Sequence, residues 1–132
     1  MYLCQTNDGH IVIKLNERDQ FPNMFQREAE GLKLLRSSTF RIPEVIAHGD
    51  YEEWSYLIME YIDSHGTSID QHEFGHKLAQ MHLQTDPKFG LGIDNYIGSL
   101  SQCNKQEATW ATFYAACLLI PLIKLAYDQN MV

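Results

Sequence analysis

Along the first half of the chain, apolar and polar positions alternate in short stretches, with runs at helical spacing between and after them. Period-two alternation predicts strands at residues 1–5, 10–15, 44–51 and 54–61. Spacings of three and four predict helices at 22–37, 69–84 and 105–127. In the strand HIVIKL, Ile11 and Ile13 face one way and Val12 and Lys14 the other, so Lys14 points inward or into a cleft from a largely apolar ribbon. On the next helix, MFQREAEGLKLL, Phe25, Ala29, Leu32 and Leu35 share a side with Met24 close by, while Arg27, Glu30 and Lys33 lie outside it. Glu28 falls inside that apolar arc. A carboxylate aimed into a core is costly unless paired and hydrogen-bonded, and Lys14 is the best candidate partner. The strand WSYLIMEYI then runs into Asp63, Ser64, His65 and Gly66, all turn formers.

This order of strand lysine, helix glutamate and strand end is the outline of a kinase nucleotide lobe. In phosphoryl transfer the lysine holds nucleotide phosphates and the helix glutamate holds the lysine. Backbone C=O and N–H groups at the end of the strand can bind a flat heterocycle such as adenine, with Met59 as an apolar wall. Taken alone, a Lys and a Glu more often form a plain ion pair, and a strand followed by a turn is ordinary.

More of the chain bears on the choice. The runs IVIKLN (11–16), MFQREAEGLKLL (24–35), RIPEVIAHG (41–49), YLIMEYI (56–62), FGHKLAQMH (74–82), FGLGIDNYIGS (89–99) and WATFY (110–114) together resemble the fructosamine (ketosamine) kinase family, within the aminoglycoside phosphotransferase-like kinases. The FG-x3-DNYIGS run is the most specific of them. The resemblance implies an α+β, protein-kinase-like fold. Residues 1–62 would be the N-lobe, an antiparallel sheet plus one helix, and 63–132 the hinge and first helices of an α-helical C-lobe. It implies ATP and Mg²⁺ as cofactors and a ketosamine or other sugar-amine substrate, phosphorylated on a sugar hydroxyl. By the same resemblance Lys14 and Glu28 match the phosphate lysine and its partner, and Met59, Glu60, Tyr61 and Ile62 match the adenine hinge. Asp94 and Asn95 become candidates for a substrate-side loop.

Departures from the family pattern matter as well. Met1 already lies in the strand that follows the family's phosphate-covering turn, and no HGD-L-x3-N catalytic loop, nor the later metal-binding aspartate, occurs after the hinge. The one HGD, His48 to Asp50, precedes the hinge, has Ser55 where the asparagine would fall, and reads as a hairpin turn. Leu118 and Leu122 stand where the family pattern has arginine and glutamine. The expectation is a truncated chain able to hold a nucleotide but inactive alone. A non-catalytic nucleotide-binding or interaction remnant is the alternative.

A rival motif sits in HEFGHKLAQMH (72–82), which satisfies H-E-x-x-H, with His72 and His76 as zinc ligands and Glu73 as base. The metzincin form needs a glycine where Ala79 stands, to end the helix and bring a third ligand round. On an unbroken helix His82 lies roughly 120° away from His76, so a solvated helix face is the better reading.

Composition narrows the classes further. A net charge of −7, with no basic run, disfavours nucleic acid and anionic membranes. Three cysteines, Cys4, Cys103 and Cys117, without C-x-x-C spacing, imply no disulfide framework and fit a reducing cytoplasm. No signal peptide is apparent. Residues 86–104 form a long loop, a length that is often functional, although Phe89, Tyr96 and Ile97 could equally make it a packed connector. The last helix, 107–127, is apolar nearly all round. Its uninterrupted run from Ala111 to Ile123 is short of the ~20 residues of a membrane span and contains Pro121, so the expectation is an exposed apolar patch available for self-association rather than a membrane helix.

Overall fold

The computed structural model describes residues 1–63, 68 and 70–131. It divides into two compact units, Met1–Gln84 and Thr85–Val132. The fold is α+β, as the family resemblance implied.

Unit one is built on a four-stranded antiparallel sheet with strand order β1-β2-β4-β3. Its strands are β1 (Tyr2–Thr6), β2 (Gly9–Glu17), β3 (Val45–Tyr51) and β4 (Trp54–Glu60). The β2/β4 register pairs Val12 with Met59, Lys14 with Leu57 and Asn16 with Ser55. Residues directly opposite in an antiparallel pair share a face, so these six side chains form one face of the sheet. Helix α1 (Met24–Leu35) covers it. Phe25 and Ala29 from the helix pack with Leu57 and Met59, and Val12, Leu32 and Val45 complete the cluster. Leu57 is completely buried. Leu35, expected on the buried arc, is exposed because it ends the helix beyond the sheet contact.

The hairpin turn between β3 and β4 lies at Glu52 and Glu53, not at His48 to Asp50, which are strand residues. Glu52 adopts φ 53° there. The turn is tied back by Arg18, whose N–H donates to the Glu53 carbonyl and whose guanidinium donates to that of Glu52. Gly49 pairs with Tyr56, and a Cβ at that position would meet the tyrosine hydroxyl at 3.1 Å.

Beyond the sheet, helix α2 (Gln71–His82) opens on Asp70, whose carboxylate accepts from the backbone N–H groups of His72 and Glu73. The expected turn residues Ser64, His65 and Gly66, and the expected helix start at Ile69, lie outside the described residues. Phe74 meets Phe40, and the Thr39 hydroxyl donates to the Lys77 carbonyl, which seats α2 within this unit.

In unit two the expected loop contains a hairpin, β5 (Asn95–Ile97) with β6 (Leu100–Gln102), turning at Gly98 with φ 59°. Residues near 105 are not helical. Phe89 and Glu107 exchange two backbone hydrogen bonds, which holds this stretch extended. Gly90 passes so close that a Cβ would stand 2.7 Å from the Lys105 carbonyl oxygen. Helix formation waits for Thr109, whose hydroxyl accepts from the Thr112 N–H.

From Trp110 the chain is helical to Asp128: α3 (Trp110–Phe113), a π-helical turn (Tyr114–Leu119) and α4 (Ile120–Asp128). Pro121 does not end it. The proline sits in the first turn of α4, directly after the wide turn, where its missing N–H and its ring are tolerated. Within these 19 residues an 18-residue stretch has a mean hydropathy of 1.5, so the helix is long and apolar enough, by length and composition alone, to cross a membrane. The helix extends beyond the uninterrupted apolar run from Ala111 to Ile123, and core helices of soluble proteins have the same length and composition.

Candidate functional site

The site assembles from the face of the sheet beneath α1. Lys14 leaves β2 on that face because its neighbours Ile11 and Ile13 face the other way. Glu28 comes down from α1 between the buried Phe25 and Ala29. Their charged ends meet, Nζ to Oε1 at 2.5 Å, with each side chain about 30% exposed. The sheet and helix thus hold an ammonium group at the rim of an apolar core, oriented by a carboxylate and still open to solvent on one side. Such a fixed cation can bind an anionic oxygen. Nearby, the Asn16 amide lies 2.8 Å from the Met24 sulfur. Among the described residues, buried Ser55, opposite Asn16, has no hydrogen-bond partner for its hydroxyl.

Met59 is buried in the core cluster against α1. Glu60 closes the strand: its backbone N–H donates to the Glu44 carbonyl, and its carboxylate accepts from Arg41 and from the Glu44 N–H. The Arg41 guanidinium, helped by the Glu44 N–H, holds the Glu60 carboxyl below the ordinary carboxylate range. Tyr61 stacks obliquely on His10 at 5.8 Å between ring centres. Among the described residues the backbone N–H of Ile62 bonds to no other group. A strand end with an unengaged donor and an apolar residue before it is what a flat heteroaromatic ring requires.

The sequence alone does not single out Arg41. It lies in an irregular stretch with no periodicity to aim it, and only the return of the chain beside β4 shows its target. Asp94 and Asn95 are brought together by a residue that also carried no signal. Asn104, almost fully buried, donates from its backbone N–H to Asp94 and from its side-chain amide to Asn95, both at 2.8 Å. The inward oxygens of the DNYIGS run are therefore engaged in holding the hairpin.

The HEFGH residues sit on an exposed face of α2. Glu73 pairs with Lys77 at 2.6 Å, and His76 Nε2 lies 3.1 Å from the Gln80 amide. Among the described residues no three His, Cys, Asp or Glu side chains converge on one point.

Comparison with known proteins follows the same lines. A family model described as fructosamine kinase matches residues 1–132. The chloroplastic protein-ribulosamine 3-kinase of Arabidopsis thaliana is 40% identical over 129 residues, covering 95% of this chain and 39% of the relative. A probable ketoamine kinase of Escherichia coli K12 is 36% identical over 131 residues, covering 93% and 44%. Two crystal structures provisionally assigned as fructosamine-3-kinases superpose well. That from Thermobifida fusca has a TM-score of 0.82 at 32% identity, covering 99% of this chain and 46% of its own. That from Haemophilus somnus has a TM-score of 0.79 at 26% identity, covering 93% and 42%. The chain spans less than half the length of these relatives. With an α+β fold of the protein-kinase-like kind and a family match along its whole length, the chain belongs to the fructosamine kinase family.

Proposed function

We propose that the chain carries the nucleotide-binding part of an ATP-dependent ketosamine kinase. In this reading residues 1–62 form the nucleotide lobe, and 63–132 supply the hinge and the start of the helical lobe. The observation that carries it is the ion pair of Lys14 with Glu28, held beside β4, whose last residues Met59 and Glu60 lead into Tyr61 and Ile62. Lys14 would hold phosphate oxygens, Glu28 would orient Lys14, and the backbone of residues 60–62 would take the adenine edge. Asp94 and Asn95 would belong to the substrate side through the fold of their hairpin. The relatives' names point to ribulosamine and ketoamine substrates, and a sugar-amine substrate is accordingly proposed here. Mg²⁺ would be needed with ATP, and a reducing compartment such as the cytoplasm suits the free cysteines.

Transfer itself needs a base and metal-binding side chains, and the 132 residues hold no HGD-L-x3-N run after the hinge. The chain alone should therefore bind nucleotide without phosphorylating a ketosamine. ATP with Mg²⁺ is expected to raise the melting temperature of the native chain, and the shift should vanish in Lys14→Ala. Absence of any shift at millimolar nucleotide would remove the proposal. Ketosamine phosphorylation above background by the isolated chain would overturn the inactive reading.

A further inference from the structure

Two of the three cysteines meet in unit two, although they lie 14 positions apart and no sequence spacing links them. The Sγ atoms of Cys103 and Cys117 are 2.9 Å apart, and all three cysteines are free. Cys103 follows β6 directly and precedes Asn104, the residue that holds the hairpin together. Cys117 lies in the middle of the π-helical turn. That wide turn displaces the helical register by about one residue, and Cys117 is the buried residue of the segment. The third cysteine, Cys4, is in strand β1 of the other unit.

We propose that Cys103 and Cys117 are a reversible oxidation site, closing to an intramolecular disulfide that staples the β5/β6 hairpin to the final helix. A disulfide needs its sulfurs at about 2.05 Å, so closure asks for a movement of roughly 0.9 Å. The two thiols are unequal. Cys103 is partly exposed, whereas Cys117 is 5% exposed, and its thiol is pushed up by its hydrogen bond to Cys103 and by burial. Cys103 is thus the sulfur that meets an oxidant, and Cys117 the one that resolves it.

With a small-molecule disulfide such as oxidised glutathione, the Cys103 thiolate attacks one sulfur. The oxidant's S–S bond breaks, one glutathione thiolate leaves, and a mixed disulfide forms on Cys103. Cys117 then gives up its proton to solvent, attacks the Cys103 sulfur and expels the second glutathione thiolate. Two protein thiols are oxidised to one disulfide, and one glutathione disulfide is reduced to two thiols. In a reducing compartment the pair stays open. The inference is independent of the nucleotide reading, because none of its residues belongs to the Lys14 site.

The test treats the reduced 132-residue chain with excess oxidised glutathione, alkylates it, and maps its peptides without reductant. Expected are a peptide linking Cys103 to Cys117, loss of two of the three titratable thiols, and full reversal by dithiothreitol. Cys4→Ser should behave the same. Cys103→Ser should form no link, and Cys117→Ser should stop with glutathione on Cys103. Three thiols still titrating, a glutathione adduct on Cys103 of the unsubstituted chain with no link formed, or a link through Cys4 would each overturn the proposal. The map of the unsubstituted chain decides the matter even if a variant fails to fold.

Discussion

Glu28 shows how much one side chain can reveal. Its place on the apolar arc of a helix demanded a cation from elsewhere, and the alternation of β2 supplied Lys14. Both charges remain partly solvated, so the pair itself adds less than about 1 kcal/mol to stability, and its use lies in positioning an ammonium group. Glu60 is a different case. Its carboxyl has a folded-state pKa below its unfolded value, chiefly because of Arg41. A depressed carboxylate contributes stability above its unfolded pKa and loses it as pH falls through the folded one. Arg41→Ala should therefore move the Glu60 titration upward, read by carboxyl-carbon NMR. The melting temperatures of the variant and the unsubstituted chain should converge as the solution becomes acidic. An unchanged Glu60 titration would contradict the pairing.

Among the elements, β4 is the one on which unit one depends. Ser55, Leu57 and Met59 are buried on the face toward α1, while Tyr56 and Ile58 on the other face are only partly covered. Leu57→Ala should cost about 2–5 kcal/mol in urea unfolding, with Ile58→Ala costing less. Equal losses would mean that the two faces are not distinct. This alternation could be read in the chain, and so could α1 and the positions of the four strands, though not their order in the sheet. The β5/β6 hairpin could not, since strands of three residues carry too little periodicity and are held by Asn104, whose neighbours give no hint of its burial. The late start of the final helix was hidden for a related reason: Glu107 pairs with Phe89, 18 positions away.

For the whole molecule the apolar final helix is the dominant feature. Ile120, Leu122, Ile123 and Tyr127 are each roughly half exposed or more. An apolar face of this kind drives association. The chain is expected to self-associate and to bind a hydrophobic dye, with both effects reduced by Ile120→Lys together with Ile123→Lys. A clean monomer by light scattering, without dye binding, would rule this out. Family, fold class and the candidates Lys14, Glu28 and 59–62 were open to reading from the sequence alone, because periodicity and local motifs act over short distances. Tertiary structure alone decided that Arg41 reaches Glu60, that Asn104 ties Asp94 to Asn95, and that Cys103 meets Cys117. Each of those contacts joins positions on separate segments, and side-chain geometry across such gaps exists only once the chain has closed on itself.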